Sequence, residues 1–152
     1  MQNDHTHLSR AIALSAESIA QGAYPVGALV VRDEIMLGEG VSDGKRRCDP
    51  TSHAEVEAIR AASHALGARN LTGAVLYSSM EPCLMCFAAS FWAYIARIVY
   101  AIPKAKQKAI HFEGPHDLAA INALNRRQLE LVHIPELEQP ALDIVTQWES
   151  RL

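Results

Sequence analysis

The sequence predicts an α/β fold in which helices cover a sheet. Short β-prone runs alternate along the chain with amphipathic helical patterns. Gly, Pro and Asp residues separate many of these runs, as is usual at the ends of helices and strands. The 152 residues contain no internal repeat, low-complexity tract or linker, and a chain of this length can bury one core. We therefore expect residues 1–152 to form a single domain.

A helix and a hairpin are predicted for the start of the chain. Apolar residues recur at helical spacing over residues 7–21, and Gly and Pro follow them. Two β-prone runs, residues 26–32 and 35–40, are separated by two residues, which favours a hairpin. The polar segment 42–51 is predicted to be a loop, with turn and capping residues where it meets the next helix.

The rest of the chain continues the alternation. Helices are predicted over residues 53–66 and 83–95, and the second is apolar on nearly every face, which is typical of a buried helix. Pro140 is expected to open a last amphipathic helix. Residues 104–118 show no clear period, so the sequence predicts no element there. The predicted strands are residues 74–79, 97–102 and 129–134.

The composition is that of an ordinary globular protein, with 49% hydrophobic and 20% charged residues. The net charge is −3 and the pI about 6.1, whereas a protein that grips phosphates usually carries a basic patch. The basic clusters at residues 45–47, 104–108 and 126–127 are short, and we interpret them as solvated surface. The charge therefore disfavours nucleic acid as a partner without excluding it.

Cysteine content and apolar runs bear on location. Three cysteines are too few for a disulfide framework, which favours a reducing, cytoplasmic compartment. The polar N-terminus lacks the basic and apolar pattern of a signal peptide. No apolar run approaches the length that spans a bilayer, so we expect no membrane partner.

Two short motifs carry the strongest functional signal. One is His53-Ala54-Glu55, and the other contains Cys83 and Cys86 directly after a proline, at metal-ligand spacing. An imidazole and two thiolates suit zinc. A structural zinc needs four protein ligands, whereas a catalytic zinc keeps one position for water. The three ligands therefore predict a catalytic zinc, and H-x-E with P-C-x-x-C is typical of base deaminases in which the glutamate is the general acid/base.

Both motifs are expected to begin helices. Free N–H groups and the helix dipole at such ends would stabilise the thiolates of Cys83 and Cys86. Glu55 lies two residues from His53 and does not share its helix face, which fits a proton shuttle better than a fourth ligand. Glu57 is expected to be a solvated helix residue.

A closed zinc site is the alternative interpretation. Cys48, His64 or His111 could supply a fourth protein ligand, and Cys48 is nearest to the first motif in sequence. Such a site would serve assembly rather than catalysis. His5 and His7 are expected in a mobile N-terminus with no role at the metal.

The two motif segments, residues 49–56 and 81–86, resemble those of the cytidine deaminase-like superfamily. Within it, they are similar to the branch that contains bacterial guanine deaminases and tRNA-specific adenosine deaminases. The resemblance covers roughly residues 8–102. It implies a three-layer α/β/α sandwich with a central mixed five-stranded sheet, bound zinc and a homodimer. It also implies the same three metal ligands and the same proton shuttle.

The resemblance further identifies four positions expected to contact the substrate. Trp92 lies in a segment similar to that of guanine deaminases, and a core aromatic on a buried helix is its alternative interpretation. Ser42 stands where the family usually has an asparagine that binds the base. Glu113 stands where guanine deaminases usually have a pair of acidic residues. Ala54 is the fourth position. Val26 replaces a phenylalanine that is usual in guanine deaminases.

The expected activity is hydrolytic deamination of a small amino-heterocycle, guanine-like first. The exocyclic amine would become a carbonyl, and ammonia would be released. The alternatives are a tRNA-specific adenosine deaminase, a cytosine or nucleoside deaminase, and a zinc module without catalytic activity.

Overall fold

A mixed five-stranded sheet forms the centre of the computed structural model, which describes residues 2–152. Its strands are β1 (Gly27–Arg32), β2 (Ile35–Val41), β3 (Val75–Met80), β4 (Arg97–Ile102) and β5 (Glu130–His133). Their order across the sheet is β2-β1-β3-β4-β5. β1 runs antiparallel to both of its neighbours, whereas the β3–β4 and β4–β5 pairs are parallel.

Helices cover both faces of the sheet. They are α1 (Gln2–Ala20), α2 (Gly44–Arg47), α3 (Ala54–Leu66), α4 (Leu84–Trp92), α5 (Leu118–Leu124) and α6 (Glu138–Glu149). α1 contacts α6, and α3 contacts α4, so the helices form two groups. The predicted three-layer α/β/α sandwich with a mixed sheet is confirmed. Within residues 2–152, no helix is long and apolar enough to cross a membrane.

Two glycines show that these groups lie on opposite faces. A Cβ atom on Gly27 would lie 2.3 Å from the carbonyl oxygen of Ala11 in α1. A Cβ atom on Gly40 would lie 2.2 Å from the carbonyl oxygen of Ala54 in α3. Gly40 pairs with Ala28, the residue after Gly27, and successive strand residues face opposite sides. The missing side chain at Gly40 lets the start of α3 lie directly on the sheet.

The first helix begins earlier than the predicted residue 7, so the expectation of a mobile N-terminus is wrong. His5 and His7 both belong to α1, and the His7 ring lies 5.1 Å from that of Tyr77. Asp4 anchors the first turn, because its carboxylate accepts hydrogen bonds from Tyr77 at 2.8 Å and from Arg97 at 2.8 and 2.9 Å. These partners are distant in sequence, which is why the local pattern did not reveal the helix.

The predicted full burial of the helix at residues 83–95 is also wrong. α4 ends at Trp92, which is 66% exposed. Tyr94 follows in a left-handed conformation with φ of 60°. The unassigned segment 104–118 contains two 3-10 turns, Lys104–Lys106 and Ala109–His111. α2 lies within the predicted loop, α5 has no predicted counterpart, and α6 begins two residues before Pro140.

Candidate active site

The two motifs lie at the N-terminal ends of neighbouring helices, as predicted. His53 precedes α3 with an extended backbone, and Cys83 has the same position before α4. Cys86 lies in the first turn of α4. The free N–H groups of both helix ends are therefore close to the cluster, and their field favours thiolates.

The three donor atoms are spaced as zinc ligands. The Nδ1 atom of His53 lies 3.6 Å from the Sγ atom of Cys83 and 3.6 Å from that of Cys86. All three atoms lie within 4.8 Å of one another. A nitrogen at roughly 2.1 Å and a sulfur at roughly 2.3 Å from a tetrahedral zinc ion would be about 3.6 Å apart. Both nitrogen–sulfur distances therefore match those expected around a zinc ion.

The three donor groups of the cluster differ in how readily they lose a proton. The hydrogen bond with Cys86 lowers the pKa of Cys83 to about 5, although burial opposes this. The same interaction and burial raise the pKa of Cys86. The hydrogen bond with Cys83 raises the pKa of His53, against the effect of burial. Cys83 is therefore a thiolate at neutral pH, and Cys86 would give up its proton to a metal ion.

Glu55 is a buried carboxyl group beside this cluster. The residue is 3% exposed and lies in the first turn of α3. Its Oε1 atom accepts a hydrogen bond from the Ser78 hydroxyl at 3.1 Å, and its Oε2 atom accepts one from the Cys86 thiol at 3.4 Å. Burial, and then the charge of Cys83, raises the pKa of Glu55. A raised pKa makes a carboxyl group a better proton acceptor and donor in its turn, which suits a general acid/base.

A cavity of about 370 Å³ opens onto these groups. His53, Glu55 and Cys83 line it together. Other segments of the chain contribute further lining residues, among them Tyr24, Val26, Ser42, Glu81, His111 and Phe112. The cavity therefore brings the two motifs together with segments that lie far from them in sequence.

Three of the four predicted substrate-binding residues lie in or next to this region. Ser42 lines the cavity. Ala54 is fully buried directly after His53. Glu113 lies beside the start of α4. Burial raises the pKa of its carboxyl group, but hydrogen bonds from backbone N–H groups, including those of Leu84 and Met85, and from Cys83 lower the pKa overall. Their roles towards a substrate stay predictions.

Trp92 lies apart from the cavity. It is the last residue of α4, eight residues beyond Leu84, which places it about 12 Å along the helix from the end that carries the cluster. Its indole lies edge-on to Phe91 at 5.6 Å, in a groove shared with Tyr94 and two arginines. The fold gives no support to a contact between Trp92 and a base bound in the same chain.

The structure gives no support to a closed four-ligand site. In the part of the chain that the structure describes, Cys48, His64 and His111 do not join the metal-ligand cluster. Cys48 is exposed at the end of α2, and His64 is exposed near the far end of α3. The His111 ring is instead stacked on Tyr24.

Two groups that hold the site in place were not predicted from the sequence. Ser78 is fully buried in an apolar strand, and that unusual polar position was the available signal. Glu57 is not the solvated residue that was predicted. It accepts a hydrogen bond from Ser52 at 2.9 Å and pairs with Arg47 at 3.4 Å, so it ties down the loop before His53.

This loop and both metal-ligand motifs fall in a region shared with other proteins. The family model of the cytidine and deoxycytidylate deaminase zinc-binding region matches residues 1–102. The chain belongs to this family. The predicted family resemblance is confirmed, and so is the predicted zinc cofactor, because the family's zinc-binding region coincides with a cluster that could hold the ion.

Relatives within this family differ in their substrates. Over 100 residues the chain is 43% identical to the guanine deaminase of Bacillus subtilis (strain 168). This match covers 65% of this chain and 64% of that enzyme. The chain thus matches slightly less than two thirds of that relative. Over 108 residues it is 35% identical to the tRNA-specific adenosine deaminase of Agrobacterium fabrum (strain C58 / ATCC 33970), covering 70% of this chain and 71% of that enzyme.

A solved structure is similar over nearly the whole chain. It comes from a study of A-to-I editing by tRNA:A34 deaminases and superposes with a TM-score of 0.80 at 26% identity. The superposition covers 92% of this chain and 99% of the other. The fold is therefore shared beyond residue 102, where the family model ends.

Proposed function

We propose that the chain is a zinc-dependent hydrolytic deaminase of a free nucleobase or a related amino-heterocycle, with guanine as the first candidate. One observation carries the proposal: the buried Glu55 lies against a three-ligand cluster that opens onto a cavity. The reaction would replace an exocyclic amine by a carbonyl oxygen from water and release ammonia.

The residues of the chain have distinct roles in this reaction. His53, Cys83 and Cys86 would hold zinc, and the bound ion would supply a Lewis acid that makes water a nucleophile at neutral pH. Glu55 would take one proton from the water and deliver it to the ring nitrogen. It would then carry the second proton, from the hydroxyl group of the addition product, to the amine that departs as ammonia. Ser78 would orient the Oε1 atom of Glu55 while it does so.

The cavity supports a small substrate. Its volume of about 370 Å³ lies near the lower limit for small-molecule sites. A single heterocycle needs no more. We propose that the Ser42 hydroxyl and the Glu113 carboxylate bind polar atoms at the edge of the ring, because Ser42 lines the cavity and Glu113 lies beside Cys83.

The second candidate is a tRNA-specific adenosine deaminase, which the relative at 35% identity favours. The charges near the cavity support it less well. Arg46 is paired with Asp43, and Arg47 with Glu57, so carboxylates already neutralise two of the three basic residues at 45–47. A protein that binds RNA through its phosphates needs uncompensated cations.

Ammonia release from a substrate panel tests the proposal. The zinc-loaded protein would be incubated with guanine, adenine, cytosine, their nucleosides and an adenosine-bearing tRNA anticodon stem-loop. Glu55→Ala is the matched variant, and it should keep zinc while losing about 10²- to 10⁴-fold in turnover. Turnover of a free base by the wild type alone supports the proposal. Turnover of the stem-loop alone would replace it with the second candidate, and equal turnover by Glu55→Ala would refute the mechanism.

We propose further that two copies pair through the end of α4. Trp92 is 66% exposed and Tyr94 is 48% exposed, and the guanidinium groups of Arg126 and Arg127 lie over these aromatic rings. Exposed aromatic residues beside arginine are typical of interface centres. Sedimentation velocity should show a wild-type dimer and a Trp92→Glu monomer. A wild-type monomer at micromolar concentration would contradict this proposal.

A reducing, cytoplasmic location is proposed on chemical grounds. Cys48, Cys83 and Cys86 are free thiols, and the last two must stay reduced to bind zinc. We also propose that residues 1–152 act as a single deaminase domain, because the sheet that carries the site includes β5, close to the C-terminal end of the chain.

A further inference from the structure

Two aromatic side chains from distant segments form one wall of the cavity. The rings of Tyr24 and His111 are stacked, with 4.0 Å between centroids and 26° between planes. Both residues line the cavity that also contains Glu55. Tyr24 follows α1, and His111 ends the second 3-10 turn of the segment between β4 and α5. We define Tyr24 and His111 as the aromatic pair.

The C-terminal helix braces this aromatic pair. Trp148 of α6 lies edge-on to Tyr24, with ring centroids 5.1 Å apart and planes at 85°. Its ring centroid is 6.3 Å from that of His111. The indole therefore packs against both rings and limits the positions they can adopt.

Ion pairs fasten the segment that carries His111 to the same helix. Lys106 pairs with Glu138, the first residue of α6, at 3.1 Å. Lys108 pairs with Glu149, the last residue of α6, at 2.8 Å. Because these contacts lie at both ends of the helix, the segment runs along α6 and keeps His111 at the cavity wall.

Two other aromatic rings, those of His53 and Phe112, also line the cavity. His53 is hydrogen-bonded within the metal-ligand cluster, and the ammonium group of Lys104 lies 4.8 Å from the centroid of the Phe112 ring. Val26 has no ring. Burial lowers the pKa of His111, so its imidazole is neutral at neutral pH and can stack without desolvating a charge.

We propose that the aromatic pair is the stacking surface for the substrate ring, and that His111 is a specificity-determining residue selecting planar heteroaromatic bases. The proposal rests on the proposed function and deepens it. Stacking of a base on an aromatic side chain contributes to binding with little dependence on the identity of the base. His111 therefore sets the class of ring that binds, while polar groups at the ring edge distinguish one base from another.

Equilibrium binding separates this proposal from the deaminase reaction. Zinc-loaded Glu55→Gln protein, which should bind a base without turning it over, would be titrated calorimetrically with guanine, adenine and cytosine. In this background, His111→Ala and His111→Asn should each weaken binding of the tightest-binding base by at least about five-fold. His111→Phe should restore that binding. His5→Ala is the matched control, since His5 is exposed on α1 away from the cavity.

Steady-state kinetics of the same His111 variants, made in the active protein with Glu55 unchanged, complete the test. Loss of stacking should raise KM for the same base with little change in kcat, as expected for an interaction made equally in the ground and transition states. Thermal unfolding of each variant shows whether it is folded, and the two non-aromatic replacements give independent measurements.

Each outcome decides between the two proposals. Unchanged binding in both His111→Ala and His111→Asn would overturn the stacking proposal while leaving the deaminase proposal intact. If the His111 variants bind the base more weakly but the wild type releases no ammonia from it, the deaminase proposal is refuted and the stacking proposal is supported. A Phe variant as weak as the Ala variant would also overturn stacking, because hydrogen bonding by the imidazole would then explain the loss. Absence of binding by every base would overturn both.

Discussion

Ser78→Ala removes a single hydrogen bond at the centre of the proposed mechanism. The Ser78 hydroxyl is fully buried and donates to the Oε1 atom of Glu55 at 3.1 Å. A hydrogen bond to a charged group contributes about 1.5–3 kcal/mol. The Oε2 atom keeps its contact with Cys86 at 3.4 Å, so Glu55 stays partly oriented and the smaller value applies. A loss of about 1.5 kcal/mol corresponds to a roughly ten-fold lower kcat/KM.

The pH profile gives a second and more specific measure of Ser78→Ala. The hydroxyl stabilises the ionised carboxylate, so its removal should raise the pKa of Glu55 beyond the increase caused by burial. The base form exists above that pKa. The acid limb of the kcat profile should therefore move to higher pH, measured by ammonia release between about pH 5 and pH 9.

Ser79→Ala is the matched control for this experiment. Ser79 is the next residue of the same strand, and its hydroxyl accepts a hydrogen bond from the Gly27 N–H group at 3.2 Å instead of contacting Glu55. It should keep kcat/KM close to the wild-type value and leave the acid limb unmoved. A fully zinc-loaded Ser78→Ala protein with wild-type kcat/KM and an unchanged limb would refute the assigned role.

Three further changes test the fold around the site. Cys83→Ala should lose zinc and unfold at a lower temperature, because metal-binding free energy stabilises the folded chain; one zinc per chain by emission spectrometry would contradict this. Asp4→Asn should reduce the free energy of unfolding by about 2 kcal/mol, since it breaks a largely buried pair with Arg97. The Arg97 hydrogen bond holds the pKa of Asp4 below its ordinary value of 3.8, so this contribution is present above that pH and is lost as the pH falls through the folded pKa. The difference in urea stability between wild type and variant should shrink from about pH 7 to about pH 3, and an equal difference at both would count against the pair. Gly40→Ala should destabilise the protein by about 3 kcal/mol, because its Cβ atom would lie 2.2 Å from the Ala54 carbonyl oxygen, and wild-type thermal stability would argue against this close approach.

The chemistry of the metal-ligand cluster was predictable because it is local. His53 and Glu55 are two residues apart, Cys83 and Cys86 are three apart, and each pair begins a helix. Helix geometry then sets the direction of each side chain with little help from the rest of the fold. The alternation of strands and helices was predictable for the same reason, since period-2 and period-3.6 patterns reflect one element at a time.

Contacts across long sequence separations were not predictable in this way. The first turn of α1 depends on Arg97, 93 residues beyond Asp4, and the orientation of Glu55 depends on Ser78 in a neighbouring strand. Trp92 shows the opposite error. An apolar helical pattern indicated burial, but Trp92 at the end of α4 is 66% exposed. A periodic pattern identifies an apolar face and leaves its partner undefined.

The sequence by itself identified the three residues that cluster as candidate metal ligands, the glutamate beside them and the α/β class, because short spacings and single-element periodicities define them. Only the tertiary structure decided the walls of the cavity. Tyr24, His111 and Trp148 carry no shared motif, and they meet because α6 returns to the aromatic wall next to the site. The volume and shape of a cavity depend on how separate segments pack together, and packing is a property of the whole folded chain.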